Sequence, residues 1–117
     1  MINRLIPASL ALLLLAGCAN DPVPTEQMRL TEQAIEQATA VGATSEDASM
    51  QLALSKQQLA QAALLNEQYK EARVLAEQAE LDAREAESRV LATRSTEQLL
   101  ELNKRINSMR KQLGYQL

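Results

Sequence analysis

Between Ala43 and Leu113 the chain contains neither glycine nor proline, and apolar positions recur every three or four residues. That period matches the 3.6-residue turn of an α-helix, while the two-residue alternation of a strand is absent. Ala, Leu, Gln, Glu, Arg and Lys dominate, and all of them favour helix. The pattern predicts three helices, at about residues 26–41, 46–65 and 70–113. The first has Thr25 as a candidate N-cap and Gly42 as its left-handed end, and Met28, Ala34, Ile35, Ala38 and Val41 share one face. The second has Thr44 and Asp47 in a capping-box-like relation, and its expected inner face is Leu52, Leu59, Ala62 and Ala63. The break between the second and third helices is expected at 66–69, where no glycine or proline enforces it; the alternative is one continuous helix from Glu46 to Leu113.

The third helix carries two seams. Ala72, Ala76, Ala79, Ala83, Ala86 and Val90 alternate at spacings of four and three, a heptad seam of small residues. Leu99, Leu102, Ile106, Met109 and Leu113 repeat the same spacing in bulkier form and out of phase with the first set, which predicts a register slip between Val90 and Leu99. Two seams imply two packing partners. The alanine half is expected to pack on the first two helices, and the leucine half is expected to extend beyond them as an apolar stripe for interaction.

Asn66-Glu67-Gln68-Tyr69-Lys70-Glu71-Ala72, followed by Leu75, Ala76 and Ala79, resembles the turn and second helix of a tetratricopeptide repeat. Small residues at Ala72 and Ala79 match the two close-approach positions of that family. One such unit without repetition implies a helical pair rather than an array. The fold expectation is therefore all-α: a three-helix antiparallel arrangement with a long C-terminal coiled-coil helix.

The first residues follow a different pattern. Arg4 precedes an apolar run from Leu5 to Leu15 interrupted only by Pro7 and Ser9. This is shorter than the roughly 20 residues needed to span a bilayer and has the layout of a secretory signal. It ends Leu15-Ala16-Gly17-Cys18, which resembles the lipobox of bacterial lipoproteins. The resemblance implies cleavage after Gly17, a diacylglyceryl thioether on the Cys18 thiol and an acyl chain on the new amino group, with no other cofactor. Lipidation converts the membrane assignment from spanning to anchored. Ala19, where an Asp would favour inner-membrane retention in enterobacterial lipoproteins, implies the periplasmic face of the outer membrane. The division is then residues 1–17 as signal peptide, 18–24 as a lipidated tether containing Pro22 and Pro24, and 25–117 as the helical domain.

Composition narrows the chemistry. Hydrophobic residues make up 46% of the chain but aromatics only 2%, and there is no histidine and one cysteine. This removes the usual general base and the commonest metal ligand, and a disulfide within the chain cannot form. No phosphate loop, calcium loop or nucleophile–base motif occurs. Glu80–Arg84, Glu85–Arg89 and Glu101–Arg105 are acid-first i,i+4 pairs of a solvated helix face. A non-enzymatic protein without a metal or small-molecule substrate is expected.

Residues 19–101 carry fifteen acidic and seven basic groups, whereas 104–117 carry Lys104, Arg105, Arg110 and Lys111 and no acid. This basic patch has two readings: favourable placement of cations at a helix C-terminus, or contact with an anionic surface such as peptidoglycan, lipopolysaccharide or an acidic partner. Nucleic acid is not expected, given the net negative charge and the lack of stacking aromatics.

The lipobox, the alanine-rich pattern and Tyr69-Lys70-Glu71-Ala72-Arg73 together resemble a family of small bacterial lipoproteins of unassigned function. Its Ala/Gln/Glu-rich helical domain often occurs beside or fused to OmpA-like proteins. The resemblance implies a periplasmic helical arm whose partner is an OmpA-like protein, peptidoglycan or a second copy. The murein lipoprotein is a second comparison. Its terminal lysine has no counterpart in Gly114-Tyr115-Gln116-Leu117, so covalent attachment to peptidoglycan is not expected.

Overall fold

The computed structural model describes residues 21–114, which form three helices and no strand. They are α1 (Thr25–Val41), α2 (Ala48–Leu65) and α3 (Tyr69–Gln112). The signal-peptide and lipobox residues, Leu15, Ala16, Gly17 and Cys18 among them, lie outside the described residues, as do Tyr115, Gln116 and Leu117.

α1 begins one residue earlier than the sequence suggests. Pro24 occupies the N-cap, its carbonyl accepting the Met28 N–H at 3.0 Å, and Thr25 is already helical rather than the cap. Proline serves here because a helix's first residues need no N–H partner within the helix. α1 ends in a Schellman turn at Gly42, whose φ of 108° belongs to the left-handed region. The Ala43 N–H reaches the Ala38 carbonyl and the Gly42 N–H reaches that of Thr39, at 2.9 and 3.0 Å. Ala38 and Ala43 are both buried in one cluster, which supplies the apolar contact that accompanies this motif.

α2 starts at Ala48, two residues later than expected from Glu46. The Thr44 N–H donates to Asp47 Oδ2 at 2.7 Å, and the Glu46 N–H donates to Thr44 Oγ1 at 3.3 Å. These bonds hold 44–47 as a turn before the helix, with Asp47 as N-cap. The expected break after α2 is present. It is a second Schellman turn, with Gln68 N–H on the Ala63 carbonyl and Glu67 N–H on that of Leu64. Glu67 takes the left-handed position at φ 59°, where glycine is usual.

α3 is the central element. α1 and α2 each pack chiefly on it and meet one another little. Ala34 clusters with Ala83 and Ala38 with Ala86, so α1 runs parallel to α3, while α2 returns antiparallel between them in sequence. All five seam alanines, Ala72, Ala76, Ala79, Ala83 and Ala86, are buried, with Val90 half-buried at the end. Each buries only about one methyl, roughly 0.8 kcal/mol. The seam's main effect is geometric, because small side chains let the helix backbones approach closely.

The same geometry corrects the inner face assigned to α2. Leu52 and Leu59 are more than half exposed and Ala62 is exposed; of the expected set only Ala63 is buried. The face turned to α3 carries Ser49, Met50, Ala53, Ala60 and Ala63. Close approach selects small side chains, so the leucines are displaced to the outside.

Polar contacts lock the three helices in register. Thr31, the largest fully buried side chain, places Oγ1 2.9 Å from its own-helix Gln27 carbonyl and 2.8 Å from the Ala76 carbonyl of α3. Lys56 Nζ of α2 lies 2.7 Å from Asp82 Oδ2 of α3. That buried oxygen has no hydrogen-bond partner of good geometry, so the ammonium satisfies it by charge alone. Gln27 donates to Glu80 at 2.7 Å. Together with Arg84, this bond holds the Glu80 carboxyl below its ordinary pKa.

Candidate interaction surface

The three-helix packing ends abruptly along α3. Arg94 donates to the Val41 carbonyl at the end of α1, and its guanidinium closes over Gly42, where a Cβ would meet it at 3.3 Å. Every residue of 91–114 is exposed. From 95 to 112 the helix therefore extends as a free arm of about 27 Å, at ~1.5 Å rise per residue.

The predicted stripe lies on this arm and is unpartnered. Leu99 is 61% exposed, Leu102 52%, Ile106 41%, Met109 53% and Leu113 73%. α3 is uninterrupted through 90–99, so the change of seam is not a slip in the helix. It is a change of face. Counted back from Leu99 at alternating spacings of four and three, the stripe continues through Ser95, Ala92, Ser88, Glu85, Leu81, Gln78 and Val74. Each of these positions stands two residues after a member of the alanine seam or its continuation, about 200° around the helix at ~100° per residue. The second seam thus occupies the side of α3 turned away from α1 and α2. Leu81 and Val74, exposed on the outer side of the base, belong to it. Sequence reasoning missed these two because the alanine seam dominates that region; counting the heptad backwards would have found them.

The basic residues surround the stripe. Arg105 Nε donates to Glu101 at 3.0 Å, completing one expected i,i+4 pair, as Arg84–Glu80 and Arg89–Glu85 complete the others. Arg89, with a smaller contribution from the Ser49 hydroxyl, holds the Glu85 carboxyl below its ordinary pKa. Lys104, Arg110 and Lys111 make no ion pair among the described residues. Arg110 and Lys111 stand in the last turn of α3, where the helix dipole favours cations, and Lys104 lies about two turns earlier.

At the other end of α3, Asp21, Pro22 and Val23 line a groove of about 1010 Å³ with Tyr69, Val74 and Leu75. The tether therefore meets the body beside the start of α3, opposite the free end of the arm. Among the described residues no group of His, Cys, Asp or Glu converges as a metal site, and no helix is long and apolar enough to cross a membrane.

Residues 26–102 match the family model described as Domain of unknown function (DUF4398). The chain is similar to a DUF4398 family protein from Pseudomonas aeruginosa PAO1 whose crystal structure was determined at 2.47 Å resolution. The two are 61% identical with a TM-score of 0.78, and the match covers 80% of this chain and 97% of that one. No curated protein matches.

Proposed function

The chain belongs to the DUF4398 family, and from that premise we propose that it is a non-enzymatic lipoprotein, anchored through Cys18 at the periplasmic face of the outer membrane. It presents the α3 arm for protein–protein interaction in the cell envelope, with an OmpA-like protein or peptidoglycan as the envelope component it engages. The observation that carries this reading is the polarity of the molecule. The tether joins at the start of α3, and the unpartnered apolar stripe lies at the far end of the same helix. An anchor at one end therefore projects the stripe away from the membrane surface. Two or three acyl chains on Cys18 would hold such a protein firmly, since each buried methylene adds about 0.8 kcal/mol.

A second reading, a homo-oligomeric spacer, draws on the heptad spacing of the stripe. A third, a small regulatory subunit of an envelope enzyme or transporter, would use the same stripe.

Metabolic labelling with palmitate tests the anchor. Wild type incorporates the label and fractionates with outer membranes, and Cys18→Ser abolishes both; equal labelling of the two removes the lipoprotein reading.

A further inference from the structure

The arm's own charge distribution bears on what covers the stripe. In heptad terms Leu99, Ile106 and Leu113 occupy position a, and Leu102 and Met109 position d. The flanking g positions are then Gln98, Arg105 and Gln112, and the e positions Thr96, Asn103 and Arg110. These flanks choose a coiled-coil partner, because they face the corresponding flanks of the neighbouring helix. Here they are neutral or cationic, Arg105 paired with Glu101 on its own helix and Arg110 in no ion pair among the described residues, and no acid follows Glu101 in the arm.

A second copy opposes like charges in each of three registers. In a parallel pair, g faces the e position of the next heptad, so Arg105 of each arm meets Arg110 of the other. In an antiparallel pair overlapping at the tips, g faces g, and Arg105 meets Arg105. In a staggered antiparallel pair that sets Leu113 on Val74 and Ile106 on Leu81, Arg105 meets Arg84. Like charges opposed across an interface are a means of suppressing the wrong partner. A purely anionic polymer would satisfy the cations but leave five large apolar side chains in water.

We propose that the outer face of α3 binds one helix of a different protein, with an apolar heptad seam flanked by acidic residues. Such a helix inserts its seam against Leu99, Leu102, Ile106 and Met109 and sets carboxylates beside Arg105 and Arg110. It continues toward the packed half of α3 over Ser95, Ala92 and Ser88, where small side chains permit the close approach that the inner alanine seam gives α1 and α2. No collision results, because the two seams face opposite directions. The proposal rests on the interaction-arm reading above but not on the lipid anchor.

The match covers 97% of the crystallised relative and 80% of this chain, and residues 21–117, which carry all three helices, are the protein used for the test. The probes are two synthetic heptad peptides with identical Ile and Leu seams, one with Glu and the other with Lys at every e and g position. Fluorescence anisotropy at low salt reads their binding. The acidic peptide is expected to bind about tenfold more tightly or better, and the preference to weaken with salt. Arg105→Glu with Arg110→Glu reverses the preference, and Leu102→Asp with Ile106→Asp abolishes binding of both peptides. Circular dichroism of these variants stays helical, since residues 102–110 are all exposed beyond the last contact with α1 at Arg94. Equal binding of the two peptides, or no binding of either, overturns the proposal. So does sedimentation of the wild-type protein as a dimer that Leu102→Asp disperses, which assigns the face to a second copy. Binding of peptidoglycan fragments that survives Leu102→Asp assigns the basic patch to the polymer instead. Failure here with intact Cys18 labelling removes the acidic helix and leaves the anchor; the converse result removes the anchor alone.

Discussion

The two halves of α3 have nearly the same helix-forming composition and opposite situations. In the base, alanines at heptad spacing are buried against two other helices. In the arm, larger residues at the same spacing lie in solvent. Along α3, hydrophobic size thus runs inversely to burial. The seam alanines are buried because close-packed helices leave little room there for larger side chains, and the leucines of the arm are exposed because no other helix of the described chain reaches them. A seam's spacing tells that a face is meant to pack; its side-chain volume tells how closely, and neither tells whether the partner lies in the same chain.

Enlarging the base seam gives the largest effect. Ala83→Leu inserts three carbon atoms where Ala34, Ala53 and Ala83 meet and is expected to destabilise by about 2 kcal/mol. Leu99→Gln in the arm should stay within about 0.5 kcal/mol. Urea denaturation of residues 21–117 measures both, and an equal loss from Leu99→Gln would mean that the arm is packed in the isolated protein. Next comes the link between α2 and α3. Lys56→Met leaves the Asp82 carboxylate partly buried without its counter-charge, at a cost of about 1–2 kcal/mol in the same assay. Lys104→Met, on the arm, should leave the midpoint unchanged.

Acid titration gives the smallest effect. Glu80 in the base and Glu101 in the arm each pair with an arginine four residues on, but only Glu80 also accepts a hydrogen bond from α1, through Gln27. The folded-state pKa of Glu80 is depressed below 4.5. Its contribution is therefore fully present above the unfolded value and is lost as pH falls from about 4.5 through the folded value. Melting temperatures from pH 7 to pH 3 should fall less steeply for Glu80→Gln than for wild type. Parallel curves would show that the Gln27–Glu80–Arg84 contact carries no linkage.

Much of this was legible in advance. The lack of glycine and proline from Ala43 to Leu113 made helices the only regular choice, and Gly42 marked the first turn by the conformation it alone tolerates easily. The second turn was harder, since Glu67 occupies a left-handed position without glycine; only the likeness to a helical pair pointed to it. The buried Thr31 contact with the Ala76 carbonyl and the Lys56–Asp82 pair were not legible, because each joins groups more than twenty residues apart. The face of α2 was misread for a general reason. Apolar residues surround that helix, and choosing the bulkiest as the core assumes that size drives burial. Ala53, Ala60 and Ala63 lie inside because the distance between backbones decides it.

By itself the sequence determined the all-α class, the positions of the turns and the two heptad seams of α3, because helix propensity, backbone conformation and side-chain period are local properties. Only the tertiary structure decided which seam is inside, that the other faces away from α1 and α2, and that the arm leaves the bundle at Arg94. Those outcomes depend on which helices lie side by side and on how far α1 and α2 reach along a third helix that outlasts both.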